Sequence, residues 1–477
     1  MRLKYEVPNN RVASFDQAGN RVYLFPSKVA GWFRTRKTII EILLFAIFVL
    51  LPLIPIRGKP AVFLDIAHRE FFLFGLKFWA TDTPFLFFIL GIFFFSLMFA
   101  TAVWGRVWCG WVCPQTVLVG FLYQRIETWV EGDSRQRRLL HESPLNFLKF
   151  KKRATKWLLF GVMSLLIAHV FLAYFVSWKG WAECYSSGFQ GSHGTLIVLI
   201  ILTFLSLLNF GWFREQFCIV ACPYGRWQTV WMDNRSMVVD YASWRGEPRR
   251  GRAPMGEPQG DCVNCYRCVQ ACPTGVDIRR GVQLECIACT ACMDACDDVM
   301  TSLGKKPGLI RYTSFLQLRE PGFLEKRFRI VWRLRSLLYL AVVAALTILF
   351  MVSLTLRNPI WIAINRLPGP LFLTENLPSG EVATINTMKI TVRNQLAESI
   401  HMSVSPEGIE GLLLLGDTNN MVLSSGEQNQ FIIIAQKKSF ANEGVGGSKN
   451  FKLKFQVRGD ESGKVYDVAH NFRFMSR

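Results

Sequence analysis

Residues 262–296 carry Cys262-Val-Asn-Cys265-Tyr-Arg-Cys268-Val-Gln-Ala-Cys272-Pro273 and then Cys286-Ile-Ala-Cys289-Thr-Ala-Cys292-Met-Asp-Ala-Cys296. Both runs have the spacing Cys-x2-Cys-x2-Cys-x3-Cys. Three thiolates this close in sequence wrap three corners of an iron–sulfur cube, and the fourth reaches across to a second cube. The spacing therefore predicts two [4Fe–4S] clusters, one held by Cys262, Cys265, Cys268 and Cys296, the other by Cys286, Cys289, Cys292 and Cys272. Zinc ribbons also use Cys-x2-Cys pairs, but a four-ligand zinc site has no use for a repeated triple-plus-one pattern. Pro273 follows the first run and Asp297 the second. The proline shapes a turn without ligating, and an acid beside a cluster lowers its potential.

Working outward, the chain of 477 residues is 51% hydrophobic, with 39 Phe and 15 Trp. Five apolar stretches approach the ~20 residues that cross a bilayer: Ile39–Ile56, Phe85–Val103, Trp157–Val176, Leu196–Phe213 and Leu337–Leu356. Several are flanked by Trp and basic residues, as membrane interfaces favour. No cleavable signal peptide is expected, because the first stretch follows a polar, basic tail and lacks a small-residue cleavage site. Segments 1–37, 105–156 and 213–335 hold 37 of the 55 lysines and arginines. The positive-inside rule then places the N-terminus and the cluster region in the cytoplasm and the C-terminal tail in the periplasm. Disulfides are disfavoured in such a compartment. The net charge of +20 reads as an orientation signal rather than as nucleic-acid binding.

The membrane region contains a repeat. Trp108-Cys109-Gly-Trp-Val-Cys113-Pro114 ends the second stretch, and Phe217-Cys218-Ile-Val-Ala-Cys222-Pro223 ends the fourth, 109 residues later. Each Cys pair sits at i, i+4, which on a helix places both thiols on one face. Repeated hairpins often meet around a shared site, so Cys109, Cys113, Cys218 and Cys222 are expected to converge on a metal or redox centre. Soft thiolates select Cu(I), zinc or iron–sulfur clusters.

Weaker candidates are Glu183, Cys184 and His193 on an outer loop, and His169 within the third stretch, where an ionisable residue is a functional hypothesis by default. Glu41 is expected to pair with Arg34, Arg36 or Lys37. Met98 and Met163 read as core filler. Arg245–Gln259 reads as a linker, and Phe323–Arg335 as an interfacial helix. From about residue 380 short apolar runs alternate with turn signals. Phe451-Lys-Leu-Lys-Phe-Gln-Val457 alternates as a half-buried strand does, and the pitch predicts an immunoglobulin-type β-sandwich. The organisation expected is a tail at 1–37, a four-helix membrane region at 38–244, a dicluster ferredoxin-like domain with linkers at 245–335, a fifth span at 336–357 and the β-sandwich at 358–477. No strand–helix G-x-G-x-x-G or C-x-x-C-H motif is present, so neither a dinucleotide nor a c-type haem is expected. The electron donor is then a separate protein or a quinol.

The duplicated Cys-x3-Cys-Pro hairpins, CVNCYRCVQACPTGVDIR with CIACTACMDAC, the fifth span and the β tail together resemble the cytochrome c oxidase accessory protein family CcoG (FixG/RdxA). The membrane ferredoxin of periplasmic nitrate reduction is similar through the hairpins and clusters only. The resemblance to CcoG implies a multi-pass inner-membrane protein that reduces Cu(II) to Cu(I). It also implies a copper-exporting P-type ATPase and cbb3-type oxidase subunits as partners. On that resemblance Cys109, Cys113, Cys218 and Cys222 are the copper or further redox site, and the eight other cysteines conduct electrons. Quinol oxidation on the same scaffold is the alternative reading, and a homodimer is open.

Overall fold

The computed structural model describes residues 22–476, apart from 57, 67–68, 80–81, 252–257, 320–332, 358–359, 371, 377–380, 396–398, 408–410, 417–420, 425–426, 441–446, 461–462 and 464. Most of the expected interfacial helix and the centre of the expected linker lie outside the described residues. The chain forms two compact units, residues 1–351 and 352–477.

The first unit opens with α1 (Trp32–Leu50). Its first ten residues carry Arg34, Arg36, Lys37 and Glu41, with Lys37 Nζ 3.8 Å from the buried Glu41 carboxylate. An antiparallel meander of β1 (Val62–Asp65), β2 (Glu70–Leu73) and β3 (Leu76–Trp79) follows, burying Phe63, Phe72, Phe78 and Trp79. The sequence reading has no strands there. The tight pairing of Phe71 with Phe78 and of Leu64 with Phe71 lets short aromatic strands form without a long apolar run.

Then come α2 (Thr83–Trp104), α3 (Pro114–Leu118), α4 (Gln124–Glu131), α5 (Ser134–Glu142), α6 (Phe147–Ser186), α7 (His193–Ser206) and α8 (Pro223–Trp231). The cluster region adds β4 (Met237–Tyr241), α9 (Ala291–Ser302) and β5 (Ile310–Ser314), and α10 (Leu334–Thr355) crosses into the second unit.

Among the described residues four helical segments are long and apolar enough to cross a bilayer: Thr83–Trp104, Phe147–Ser186, His193–Phe213 and Leu334–Thr355. They match four of the five expected stretches. α1 falls short because its four charged residues leave only its C-terminal half apolar.

α6 is not one rod. Ser177 sits at φ 65°, a left-handed conformation that breaks the helix. His169 and Tyr185 are 16 residues apart, about 24 Å on a straight helix, yet their side chains are 2.5 Å apart. The chain doubles back at Ser177, so the apolar rod ends near Val176. The returning turn packs Trp181 and Cys184 against Ala168, Leu172 and Leu199.

The second unit is two antiparallel sheets, built from β6 (Ile360–Arg366), β7 (Leu373–Asn376), β8 (Glu381–Asn394), β9 (Ile400–Glu407), β10 (Leu412–Leu415), β11 (Met421–Leu423), β12 (Gln428–Phe440), β13 (Gly447–Gly459) and β14 (Val465–Ser476). One sheet runs β10–β12–β8–β6 with β7 beside β8, and the other runs β11–β9–β13–β14. Their inner faces share one core. Met388, Ile390, Val392 and Ile433 face it from the first sheet, and Met402, Phe451, Leu453, Phe455 and Val457 from the second. The Phe451–Val457 alternation therefore sends Lys452 and Lys454 outward, as its period of two requires.

Candidate functional site

The eight-cysteine segment hangs between β4 and β5, which pair antiparallel from Met237↔Ser314 to Tyr241↔Ile310. Between these fixed ends the two cysteine runs adopt one backbone shape. Asn264 and Tyr266 sit at φ 58° and 60°, and Ala288 and Thr290, each 24 residues later, at 52° and 64°. Alternating left- and right-handed residues turn successive N–H groups toward one concave side, which favours negative charge. Cys268 is carried on the helical turn Arg267–Gln270, and Cys292 and Cys296 on α9.

Two cavities result. Cys262, Cys265, Cys268 and Cys296 line one, together with Tyr241, Val299 and Leu309. Cys272, Cys286, Cys289 and Cys292 line the other, with Val239, Val276 and Ile278. Each cavity presents four sulfur donors in a mostly apolar wall, with Arg279 in the first and Thr274 and Thr290 in the second, and four such sulfurs fit an iron–sulfur cluster. Burial pushes the Cys286 and Cys296 thiols up to about 12, so these groups ligate only when a metal displaces their protons. Cys268 of the first set is near enough to Cys292 of the second to push that thiol up as well. Around the first cavity, Arg279 pairs with Asp277 at 2.8 Å and stacks 4.0 Å over the Tyr266 ring. Asp297, expected as an acid beside a cluster, accepts the Gly308 N–H at 2.7 Å and raises the neighbouring Cys296 thiol.

The Cys-x3-Cys-Pro pairs depart from the helical reading. Trp108–Val112 and Phe217–Ala221 form single π-helical turns, and Cys113 and Cys222 are extended residues that cap α3 and α8. The cause is the proline. It disfavours helical backbone at the residue before it, and its missing N–H suits the first turn of a new helix. Cys113 N–H bonds Trp108 O at 2.9 Å and Cys222 N–H bonds Phe217 O at 2.8 Å, closing the wide turns. The repeat extends further, since Gly105 at φ 59° and Arg214 at φ 55°, also 109 apart, reverse the chain before each turn.

The four thiols are near enough to act on one another electrostatically. Cys109, Cys113 and Cys222 each bear electrostatically on Cys218. Burial pushes Cys109 up to about 12, opposed by the Gln228 amide, which donates to its sulfur at 2.9 Å. Among the described residues no three Cys, His, Asp or Glu side chains are closed on a single metal ion.

The first turn touches the second cluster cavity. A side chain on Gly110 would meet the Ile287 and Ala288 carbonyls at 2.6 and 2.7 Å, so only glycine fits there. Arg106 donates to the carbonyls of Leu284, of Cys286 (3.3 Å) and of Gly225 (2.5 Å), joining the cluster loop to α8. The second turn is anchored differently. Arg214 NH1 bonds the buried Glu127 at 2.9 Å, and Arg137 (3.2 Å) and Lys156 (3.8 Å) share that carboxylate. Burial alone raises the Glu127 carboxyl, but the three cations overcome it and hold it below 4.5. Arg106, Gly110, Glu127 and Gln228 escape sequence reading. Only the 109-residue offset, which aligns Gly105 with Arg214, hints at that layer.

The weaker candidates are placed away from this centre. His169 bonds Leu165 O at 2.8 Å and Tyr185 OH, both within α6. Cys184 is buried in an apolar cluster, while Glu183 and His193 are exposed. Met163 packs beside Tyr123 and Phe160.

A 4Fe-4S dicluster domain model matches residues 213–315, and a 4Fe-4S binding domain model matches residues 85–133. Protein RdxA of Cereibacter sphaeroides is 35% identical over 403 residues, covering 82% of this chain and 84% of that protein. Protein RdxB of the same organism is 36% identical over 414 residues, 84% of this chain and 85% of that one. Nitrogen fixation protein FixG of Rhizobium meliloti is 32% identical over 424 residues, 81% and 79% of the two chains. Identity is sustained over most of each chain, and paired four-thiol cavities stand beside a duplicated thiol turn, so this chain belongs to the RdxA–FixG family of 4Fe-4S proteins.

Proposed function

We propose that this protein is a membrane cupric reductase, which passes single electrons from its cluster domain to Cu(II) at the four-thiol centre and so supports assembly of a cbb3-type oxidase. One observation carries the reading: Gly110, between Cys109 and Cys113, lies against the backbone between Cys286 and Cys289. When bound, each cluster takes up and releases one electron at a time. Cys262, Cys265, Cys268 and Cys296 hold the first, and Cys272, Cys286, Cys289 and Cys292 the second. Arg106 locks the Cys286 loop to the thiol turns and sets a positive charge beside Cys286. The two π turns hold Cys109, Cys113, Cys218 and Cys222 together, and their soft sulfurs favour the Cu(I) product. A copper-exporting P-type ATPase is the proposed acceptor of Cu(I).

In the proposed topology five segments cross the inner membrane, the clusters are cytoplasmic, and an immunoglobulin-type sandwich docks partners in the periplasm. The clustering of lysine and arginine in 1–37, 105–156 and 213–335 supports it. A reporter fused after residue 477 that is active only in the cytoplasm would overturn that topology. The reduction itself is tested by titrating the anaerobically reduced protein with Cu(II). Loss of the reduced-cluster electron paramagnetic resonance signal in step with Cu(I) formation is expected. Replacing all four turn cysteines by serine removes copper affinity, and unchanged affinity and rate would sink the assignment.

Quinol oxidation has one observation in its favour. A cavity of about 310 Å³ beside Cys286 is lined by Met232, Met237, Val282, Leu284 and Phe315, with Arg106, Thr229, Asp233, Asn234 and Gln283 as its polar groups. A mostly apolar pocket with a few polar groups suits a ring head group. Under this reading quinol is the electron donor, and its addition alone reduces the clusters.

A further inference from the structure

A cavity of about 620 Å³ opens between Pro26–Val29, the start of α1, helices α3 and α4, and the loop Ile287–Ala291. Two sulfur groups reach its wall, Cys218 from the second thiol turn and Cys289 from the second cluster set. It therefore borders both the proposed donor and the proposed acceptor.

Its charge is lopsided. Lys28, Arg34, Lys37, Arg125 and Arg137 line it, against Glu215 and Asp294. Both acids are committed. Asp294 accepts the N–H groups of Phe33 (3.2 Å) and Arg34 (2.7 Å). Glu215 accepts from Gln124 at 3.0 Å and lies 3.5 Å from Arg214. Among the cations, Lys37 pairs with Glu41 and Arg137 with Glu127. Lys28, Arg34 and Arg125 form no ion pair among the described residues, although Arg34 and Arg125 both act on the buried Glu41. A concave wall with low-dielectric sides focuses such a field and concentrates the opposite charge. A bare divalent copper ion is repelled by this wall. A copper complex with surplus carboxylates is drawn in.

We infer that this cavity admits copper as an anionic carboxylate chelate, delivered between Cys289 and Cys218. The inference rests on the cupric-reductase reading. The step is a one-electron transfer: Cu(II) becomes Cu(I), the reduced cluster domain gives up one electron, and each thiol that then binds Cu(I) as a thiolate gives its proton to a freed carboxylate of the chelate. The carboxylate ligands are released because Cu(I) prefers sulfur to oxygen.

Two measurements on the cluster-loaded, full-length protein test it. Calorimetric titration with citrate, without copper, is expected to show binding that weakens at least about tenfold in Lys28→Glu/Arg125→Glu. The milder Lys28→Gln/Arg125→Gln pair should weaken it less, which guards against a folding defect. Kinetics with dithionite-charged protein should show KM for Cu(II)–citrate rising by a similar factor in the charge-reversed variant. In the same variant kcat is expected to hold, as is KM for neutral Cu(II)–bis-glycinate. Absence of citrate binding, or equal KM changes for both chelates, overturns the inference. Charge-dependent citrate binding with no reduction of either chelate upholds the anion site and overturns the copper reading instead.

Discussion

The two thiol turns share one backbone and differ in what holds them. Both run through a left-handed residue, a π turn and a proline-started helix, at a constant offset of 109 residues. In the first copy the left-handed residue is Gly105, where any side chain would strike the Met237 carbonyl. The next residue, Arg106, grips the cluster loop. In the second copy those positions are Arg214 and Glu215, and Arg214 is tied to Glu127 instead. Gly110 gives way to Ile219. The repeat therefore gives two like thiol turns, and a few differing flanking residues set one copy against the Ile287–Ala288 backbone and the other in the wall of an open cavity.

The strongest way to break this contrast is to remove the cluster beside the first copy. Cys289→Ser should lower iron from about eight to about four per chain and cut copper reduction by at least about a hundredfold. Iron analysis with a rate measurement decides it, and an unchanged rate defeats the route through Cys289. Next is the anchor of the second copy. Glu127→Gln leaves three buried cations without their shared carboxylate, so about 3–5 kcal/mol of stability should be lost in thermal unfolding in detergent. Glu127 is held below its ordinary value of 4.5. Its contribution is thus full above about 4.5 and disappears as pH falls through the folded value, an acid limb that the variant should lack. A smaller effect separates the copies directly. Gly110→Ala forces a methyl group into two carbonyls and should cost about 1–3 kcal/mol while slowing electron transfer. Ile219→Ala, at the matching position, should leave electron transfer within about twofold. The smallest effect concerns sulfur reactivity. Gln228→Leu removes the donor to Cys109 and should slow alkylation of that thiol about fivefold. Cys218 should react as before, since the position matching Gln228 in the first copy is Val119.

The cluster domain was legible because cluster ligation imposes a spacing on the chain that few other chemistries share. The cross-over sharing of Cys272 and Cys296 could be written down from the same rule, and the cavities group the eight sulfurs in those two sets. Four of the five apolar stretches became helices able to cross a bilayer, since length and hydropathy are local properties. The first stretch is the one left unmatched, because the helix that carries it begins with Arg34, Arg36, Lys37 and Glu41. The meander at Val62–Trp79 was missed because its strands are too short for a periodicity to register. The thiol pairs were found but their geometry was misread, because a helical i, i+4 assumption overlooked what Pro114 and Pro223 do to the residue before them.

What the residues alone determined is a list of local features: two cluster ligand sets from the cysteine spacing, membrane-length helices from long apolar runs, paired sheets from alternating strands, and a duplicated thiol motif. Each is a property of neighbours in the chain. Tertiary structure decided which of these meet. The contact of Gly110 with the Cys286–Cys289 loop joins residues far apart in sequence, as do the grip of Arg106 and the sharing of Glu127 among three cations. So does the basic cavity between Cys218 and Cys289. Such contacts depend on packing across several helices at once, and no local pattern in the chain encodes them.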